Sequence, residues 1–112
     1  MLILLSFLLL NVKHLFADFL FQRSYQYKNK GNYGHPGGIL HAAIHFVLSL
    51  IALGFLFPFY NVLLVSTIDF VLHYHIDWAK IKINAVFGLT PTTHEEFWWL
   101  LGLDQFLHQL TY

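Results

Sequence analysis

The chain has 112 residues, enough for one domain and too few for a second, so residues 1–112 are read as a single unit. It is 57% hydrophobic and only 11% charged, against roughly 25% in an ordinary soluble domain, which argues against a water-exposed globule. Six basic and six acidic residues cancel, so nucleic acid is not an expected partner, and the lack of Cys excludes disulfides and thiolate metal sites. The predicted architecture is all-α: a helical transmembrane bundle of about four helices, the last one short or partly interfacial. The first helix spans about Leu2 to Phe21, near the ~20 residues that cross a ~30 Å hydrocarbon core, and carries Lys13, His14 and Asp18 in its second half. It lacks the basic start and small-residue cleavage site of a signal peptide and is read as retained. A polar segment from Gln22 to Gly38 follows, with a turn signal in Gly31, Gly34 and His35-Pro36-Gly37-Gly38.

The second helix spans about Gly38 to Phe57, with His41 and His45 in its first two turns, and Phe57-Pro58-Phe59 makes a tight reversal. The third spans about Tyr60 to Lys82 and holds Asp69, His73, His75 and Asp77. Thr92 and Glu95 fit a capping box at the start of the last helix. Phe97-Trp98-Trp99 suits an interfacial aromatic belt. Gly102 is expected to break this helix into an interfacial turn and a short inserted piece. Five of the six basic residues (Arg23, Lys28, Lys30, Lys80 and Lys82) fall in two regions that an up-down arrangement puts on one side. Loops 22–38 and 80–92 are therefore expected to be cytoplasmic, with the protein in an inner membrane.

Eight His outnumber either charge type, and their placement carries the chemistry. His14/Asp18, His41/His45, His73/Asp77 and Asp104/His108 share one spacing, and positions four apart lie on the same helix face. Three of the pairs fall at similar depth, and the fourth joins them if the last helix enters late. A carboxylate at the bilayer centre costs about 2.5–3.5 kcal/mol, so unpartnered Asp and His would burden the chain. They are relieved by Asp–His hydrogen bonds between helices or by metal. Four pairs at one spacing favour metal, with His14, Asp18, His41, His45, His73, Asp77, Asp104 and His108 as ligands. Imidazole and carboxylate without sulfur suit Zn, Fe or Mn. Eight ligands exceed one tetrahedral site, so one or two divalent ions roughly 3.5–4 Å apart are expected.

Around these, Gln22 extends the first face by a turn. Asp69, a turn before His73, is placed either to orient that imidazole or to hydrogen-bond within the bundle. Lys80, three residues after Asp77, is placed to neutralise it or hold an anionic group, and Gln105 adjoins Asp104. His75 points away from His73, and His35 and His94 are loop and interfacial residues.

At these residues the chain resembles a family of small membrane proteins, the domain of unknown function 3307. The likeness lies in His14-Leu-Phe-Ala-Asp18-Phe-Leu-Phe-Gln22, then His41 and His45, then His73-Tyr-His-Ile-Asp77-Trp-Ala-Lys80, then Asp104-Gln105-Phe-Leu-His108. The resemblance implies a bacterial or phage inner-membrane protein and brings no established activity. The leading expectation is a metal-dependent membrane hydrolase acting on a lipid-linked or phosphate-bearing substrate. One alternative is a non-catalytic envelope protein whose pairs are interhelical hydrogen bonds. A third, ranked last, is an ion or proton pathway. The lipid bilayer is the expected partner, and an oligomer stays open.

Overall fold

Two stretches in the computed structural model, which describes residues 1–112, are long and apolar enough to cross a membrane: Leu2–Leu20 and Pro36–Gly54. The five α-helices are α1 (Leu2–Leu15), α2 (Ser24–Tyr27), α3 (Pro36–Gly54), α4 (Phe59–Phe87) and α5 (Glu95–Leu110). No strand is present, and α1 continues directly into a π-helical turn over Phe16–Leu20. There the Phe21 N–H donates to the Phe16 carbonyl at 2.9 Å, five residues back. Single π turns inside helices are frequent at functional sites. This one carries Asp18.

Several boundaries differ from the sequence expectation, each for a local reason. Helix α3 starts at Pro36, not near Gly38, because proline pre-sets the first helical residue and the His35 ring accepts the Gly37 N–H at 3.0 Å. A Cβ on Gly37 would sit 2.5 Å from the Tyr25 carbonyl, so the approach of α2 to this helix start needs glycine. Helix α4 runs on to Phe87, beyond Lys82, until Gly88 ends it at φ 62°. The segment 80–92 expected as a loop is therefore helical over its first eight residues. The capping box is not formed: His94 is the N-cap of α5, and Thr93 Oγ1 bonds the His94 ring at 2.8 Å. Gly102 does not break α5, which continues through it. A glycine inside a helix costs roughly 1 kcal/mol against Ala, and polar contacts of Asp104 and His108 hold the following turns in place. The short α2 was not anticipated.

The four long helices pack antiparallel in layers. At one level Leu10, Leu53 and Val62 form the apolar cluster, with Tyr112 against it. Above it come Lys13, Ser49, Asp69 and Thr111, which bond one another. Next are the rings of His14, His45, His73 and His108. Asp18, His41, Asp77 and Asp104 follow, with Lys30 and Lys80 beyond. Of twenty buried residues thirteen are polar or charged and only five are hydrophobic, while Ile3, Leu8, Val47, Ile51, Leu64 and Val71 face outward. The usual distribution is inverted.

Candidate metal centre

Helical spacing alone puts each pair on one face, and the antiparallel packing brings the four faces together. His14 Nε2 lies 3.0 Å from Asp18 Oδ2 within the first pair. Asp18 Oδ1 also stands 3.1 Å from His41 Nε2 and 3.0 Å from His45 Nε2 on α3. His41 Nε2 is 3.3 Å from His73 Nε2 and 3.3 Å from Asp77 Oδ2, both on α4. His73 Nε2 is 3.5 Å from Asp77 Oδ2. From α5, His108 Nε2 reaches Asp77 Oδ1 at 3.5 Å and Asp104 Oδ1 at 3.4 Å. All eight expected ligand residues are thus in one cluster.

Two groups within it have donor atoms all within 4.8 Å of one another and could hold a metal ion: Asp18, His41, His45 and His73, and His73, Asp77 and His108. His14 and Asp104 belong to neither group and adjoin them through Asp18 and His108. Ligands at ~2.0–2.2 Å from a tetrahedral ion stand about 3.4 Å apart, which matches the separations here. Hydrogen bonds would give similar distances, so the angles discriminate. His14 Nε2, His108 Nε2 and Asp104 Oδ1 are buried and make no hydrogen bond despite lying near a carboxylate or imidazole. Buried polar atoms are rarely left so, and imidazole and carboxylate atoms without a protein partner suit an ion. The donor set therefore fits a divalent metal.

The outer ring nitrogens differ in a way that matters. His41 Nδ1 faces Gln26 Oε1 at 3.4 Å, an acceptor, which puts the ring proton on Nδ1 and leaves the Nε2 lone pair toward the centre. His45 Nδ1 faces Lys13 Nζ at 3.3 Å. A charged lysine only donates, so it leaves the His45 proton on Nε2, directed at Asp18. His14 Nδ1 meets the Tyr112 hydroxyl at 2.5 Å.

The supporting residues divide. Lys80 bonds Asp104 at 2.9 Å and stands 3.7 Å from Asp77, so it partly neutralises the expected carboxylate. Gln105 donates to Asp104 Oδ2 at 3.1 Å. Gln22 donates to the Asp18 backbone carbonyl at 3.0 Å and so braces the π turn, not the carboxylate. Of its two expected roles Asp69 takes bonding within the bundle, not orienting His73. It pairs with Lys13 at 2.6 Å and accepts from Ser49 at 3.1 Å and Thr111 at 3.3 Å. A buried lysine on the facing helix outbids a neutral ring on its own. His75 is exposed and bonds Tyr33, clear of the centre.

Sequence reasoning missed Lys13 as the partner of Asp69, and Gln26 and Tyr112 as partners of His41 and His14. It also took Lys30 for a loop charge, whereas Lys30 is buried and 2.8 Å from Asp77. A spare carboxylate, Asp69, on an apolar helix was the available signal for Lys13. A groove of about 260 Å³ between α4 and α5, lined by Leu72, Ile76, Leu103 and Leu107 among others, opens onto Lys80 and Asp104 at the edge of the cluster.

The model of the family described as "Protein of unknown function (DUF3307)" matches residues 4–111, nearly the whole chain. No curated protein and no solved structure matches it.

Proposed function

We propose, for a chain that belongs to the DUF3307 family, an integral membrane protein with a divalent metal centre between its helices, acting as a metal-dependent hydrolase on a lipid-linked or phosphate-bearing substrate. The observation that carries this reading is the convergence of ligand pairs from four helices with buried ring and carboxylate atoms that bond no protein group. The outward apolar surface and the two long apolar stretches support the membrane setting. With Arg23, Lys28 and Lys82 exposed toward one end, that end is the cytoplasmic side of an inner membrane. The ligands come from His14, Asp18, His41, His45, His73, Asp77, Asp104 and His108, for one or two ions of Zn, Fe or Mn. Bound there, such an ion supplies Lewis acidity toward water and a phosphoryl oxygen. Gln26 holds His41 in the ligating tautomer. Lys80, paired with Asp104 at the foot of the α4–α5 groove, closes the polar end of that groove, whose leucines take apolar chain.

A second reading has the same cluster as a purely structural network. The observation favouring it is that Asp69, Asp77 and Asp104 each already have a lysine within ion-pair distance. A pathway across the membrane is disfavoured, because the polar layers stop at Leu10, Leu53 and Val62. Elemental mass spectrometry of detergent-purified protein, beside a His41→Ala/His73→Ala variant, separates the two. One or two equivalents of Zn, Fe or Mn, lost in the variant, support the metal centre. No metal in folded protein after attempted reconstitution leaves only the structural network.

A further inference from the structure

The two metal-capable groups are not equivalent, and the difference lies in what surrounds their carboxylates. Asp18 faces only imidazoles: His14, His41 and His45, all within 3.1 Å. Asp77 instead has Lys30 Nζ 2.8 Å from Oδ2 and Lys80 Nζ 3.7 Å from Oδ1, and the same Lys80 is 2.9 Å from Asp104. Lys30 comes from the loop after α2 and Lys80 from α4, so two separate elements deliver positive charge to one carboxylate. We infer that the centre takes a single divalent cation on the Asp18 side, and that Lys30 and Lys80 stand where a second ion would otherwise be needed. The inference rests on the metal-centre reading and adds the number and the position.

Three observations carry it. His73 is common to both groups, and its Nε2 has one lone pair to give. That atom is 3.3 Å from His41 Nε2 and 3.5 Å from Asp77 Oδ2, so serving one ion denies the other. The second observation is charge. The cluster and the adjoining layer contain four aspartates (18, 69, 77 and 104) and three lysines (13, 30 and 80), while Arg23, Lys28, Lys82, Glu95 and Glu96 are exposed. With neutral imidazoles the interior therefore carries one net negative charge. One divalent ion leaves a single positive charge, whereas two would leave three uncompensated positive charges where screening is weak. The third is tautomer control. His41 is held by Gln26 with Nε2 free, and it belongs to the Asp18 group. The shared His73 and His108, the imidazole particular to the Asp77 group, both lack a partner on Nδ1, so His41 is the one imidazole of the three held with its inner nitrogen free, and it lies on the Asp18 side.

Asp18, His41 and His73 then form the ligand set, with His14, whose buried Nε2 makes no hydrogen bond, completing it. A cation already present on Asp77 makes the remaining group, His108 Nε2 with Asp77 Oδ1 at 3.5 Å and Asp104 Oδ1 at 3.4 Å, a poor second site. Removing that cation exposes it.

The experiment is stoichiometry in the full chain, purified in detergent, stripped with chelator and reloaded with Mn²⁺. Bound Mn²⁺ per chain is counted by elemental mass spectrometry, and electron paramagnetic resonance reads whether the ions are coupled. The expected result is one Mn²⁺ with an uncoupled mononuclear spectrum, lost in Asp18→Asn and kept in Asp104→Asn. Lys30→Met is expected to double the count to two and to add the signature of a coupled pair. Two ions in the unaltered chain overturn this inference and leave the metal centre standing. No ion, with Zn²⁺ failing likewise, overturns the metal centre itself. A folded Lys30→Met protein that still binds one ion overturns the role given to the lysines. Should that variant fail to fold, the count and the spectrum of the unaltered chain still decide between one ion and two.

Discussion

The Lys13–Asp69 pair is where the polar interior can be tested without reference to any metal. Both side chains are nearly inaccessible, at 4% and 3% exposure, and their charged atoms are 2.6 Å apart. Removing one partner of a buried pair costs about 3–5 kcal/mol, because the survivor is left as an uncompensated buried charge. The two single variants should differ. Lys13→Met leaves Asp69 with the Ser49 and Thr111 hydroxyls as donors, which places its cost near the lower end, about 3 kcal/mol. Asp69→Leu leaves Lys13 facing only the His45 ring and the Tyr112 face, which places its cost near the upper end, about 5 kcal/mol. In Lys13→Met/Asp69→Leu no charge is stranded, so the double variant should fall about 3 kcal/mol short of the summed singles. The assay is equilibrium unfolding in mixed micelles for all four proteins of the cycle. Single costs below about 1 kcal/mol, the range of a solvated surface pair, or additive costs in the double variant, would refute the buried pair.

Three further outcomes are expected. Gln26→Ala should weaken metal binding by about 10–100-fold, read by competition with a chelator of known affinity, because the outer partner that fixes the His41 tautomer is lost; unchanged affinity would mean that Gln26 does not set the ring. Tyr112→Phe removes the hydroxyl on His14 Nδ1 and should cost about 1 kcal/mol of stability, more if the ring nitrogen is left unpaired; thermal unfolding of the purified protein checks it. Val47→Asp places a carboxylate on the outward face of α3, where Val47 is half exposed. In lipid that change costs about 2.5–3.5 kcal/mol, whereas on a water-facing surface it would stay within about 0.5 kcal/mol. Retained membrane fractionation and unchanged yield of this variant would count against the bilayer setting.

The regular spacing is what made the centre legible. Four pairs at a separation of four residues map onto one face whatever the exact helix ends, so differences of one to five residues at the ends of α3 and α4 did not disturb them. The last helix was harder because its pieces pointed different ways. Gly102 suggested a break, yet Lys80–Asp104 and Asp77–His108 fix α5 against α4 in one antiparallel register. The capping box failed because α5 starts at Glu95 with His94 as its N-cap, which leaves Thr92 two residues too early to cap it. The Asp69 partner was not legible from periodicity at all. Which neighbour a carboxylate chooses is set by the facing helix, and nothing within α4 encodes Lys13.

The lysines show how one residue type can mislead two arguments at once. Lys30 and Lys80 were counted among the five basic residues that orient the chain, as though free to face the cytoplasm. Both instead turn inward, to Asp77 and Asp104, and their charge is spent there. A charge compensated by a buried carboxylate contributes little to the bias that the positive-inside rule measures, since that rule counts basic residues in loops and near span ends. Arg23, Lys28 and Lys82 remain exposed and lie toward the same end of the helices, so the expected orientation keeps its sign on three residues instead of five. The two that leave the topology count enter the electrostatics of the buried cluster, beside Asp77 and Asp104. The chain carries few charges, and the ones it buries are matched almost one to one. The carboxylate left without a lysine, Asp18, is the one that a π turn aims at three imidazoles.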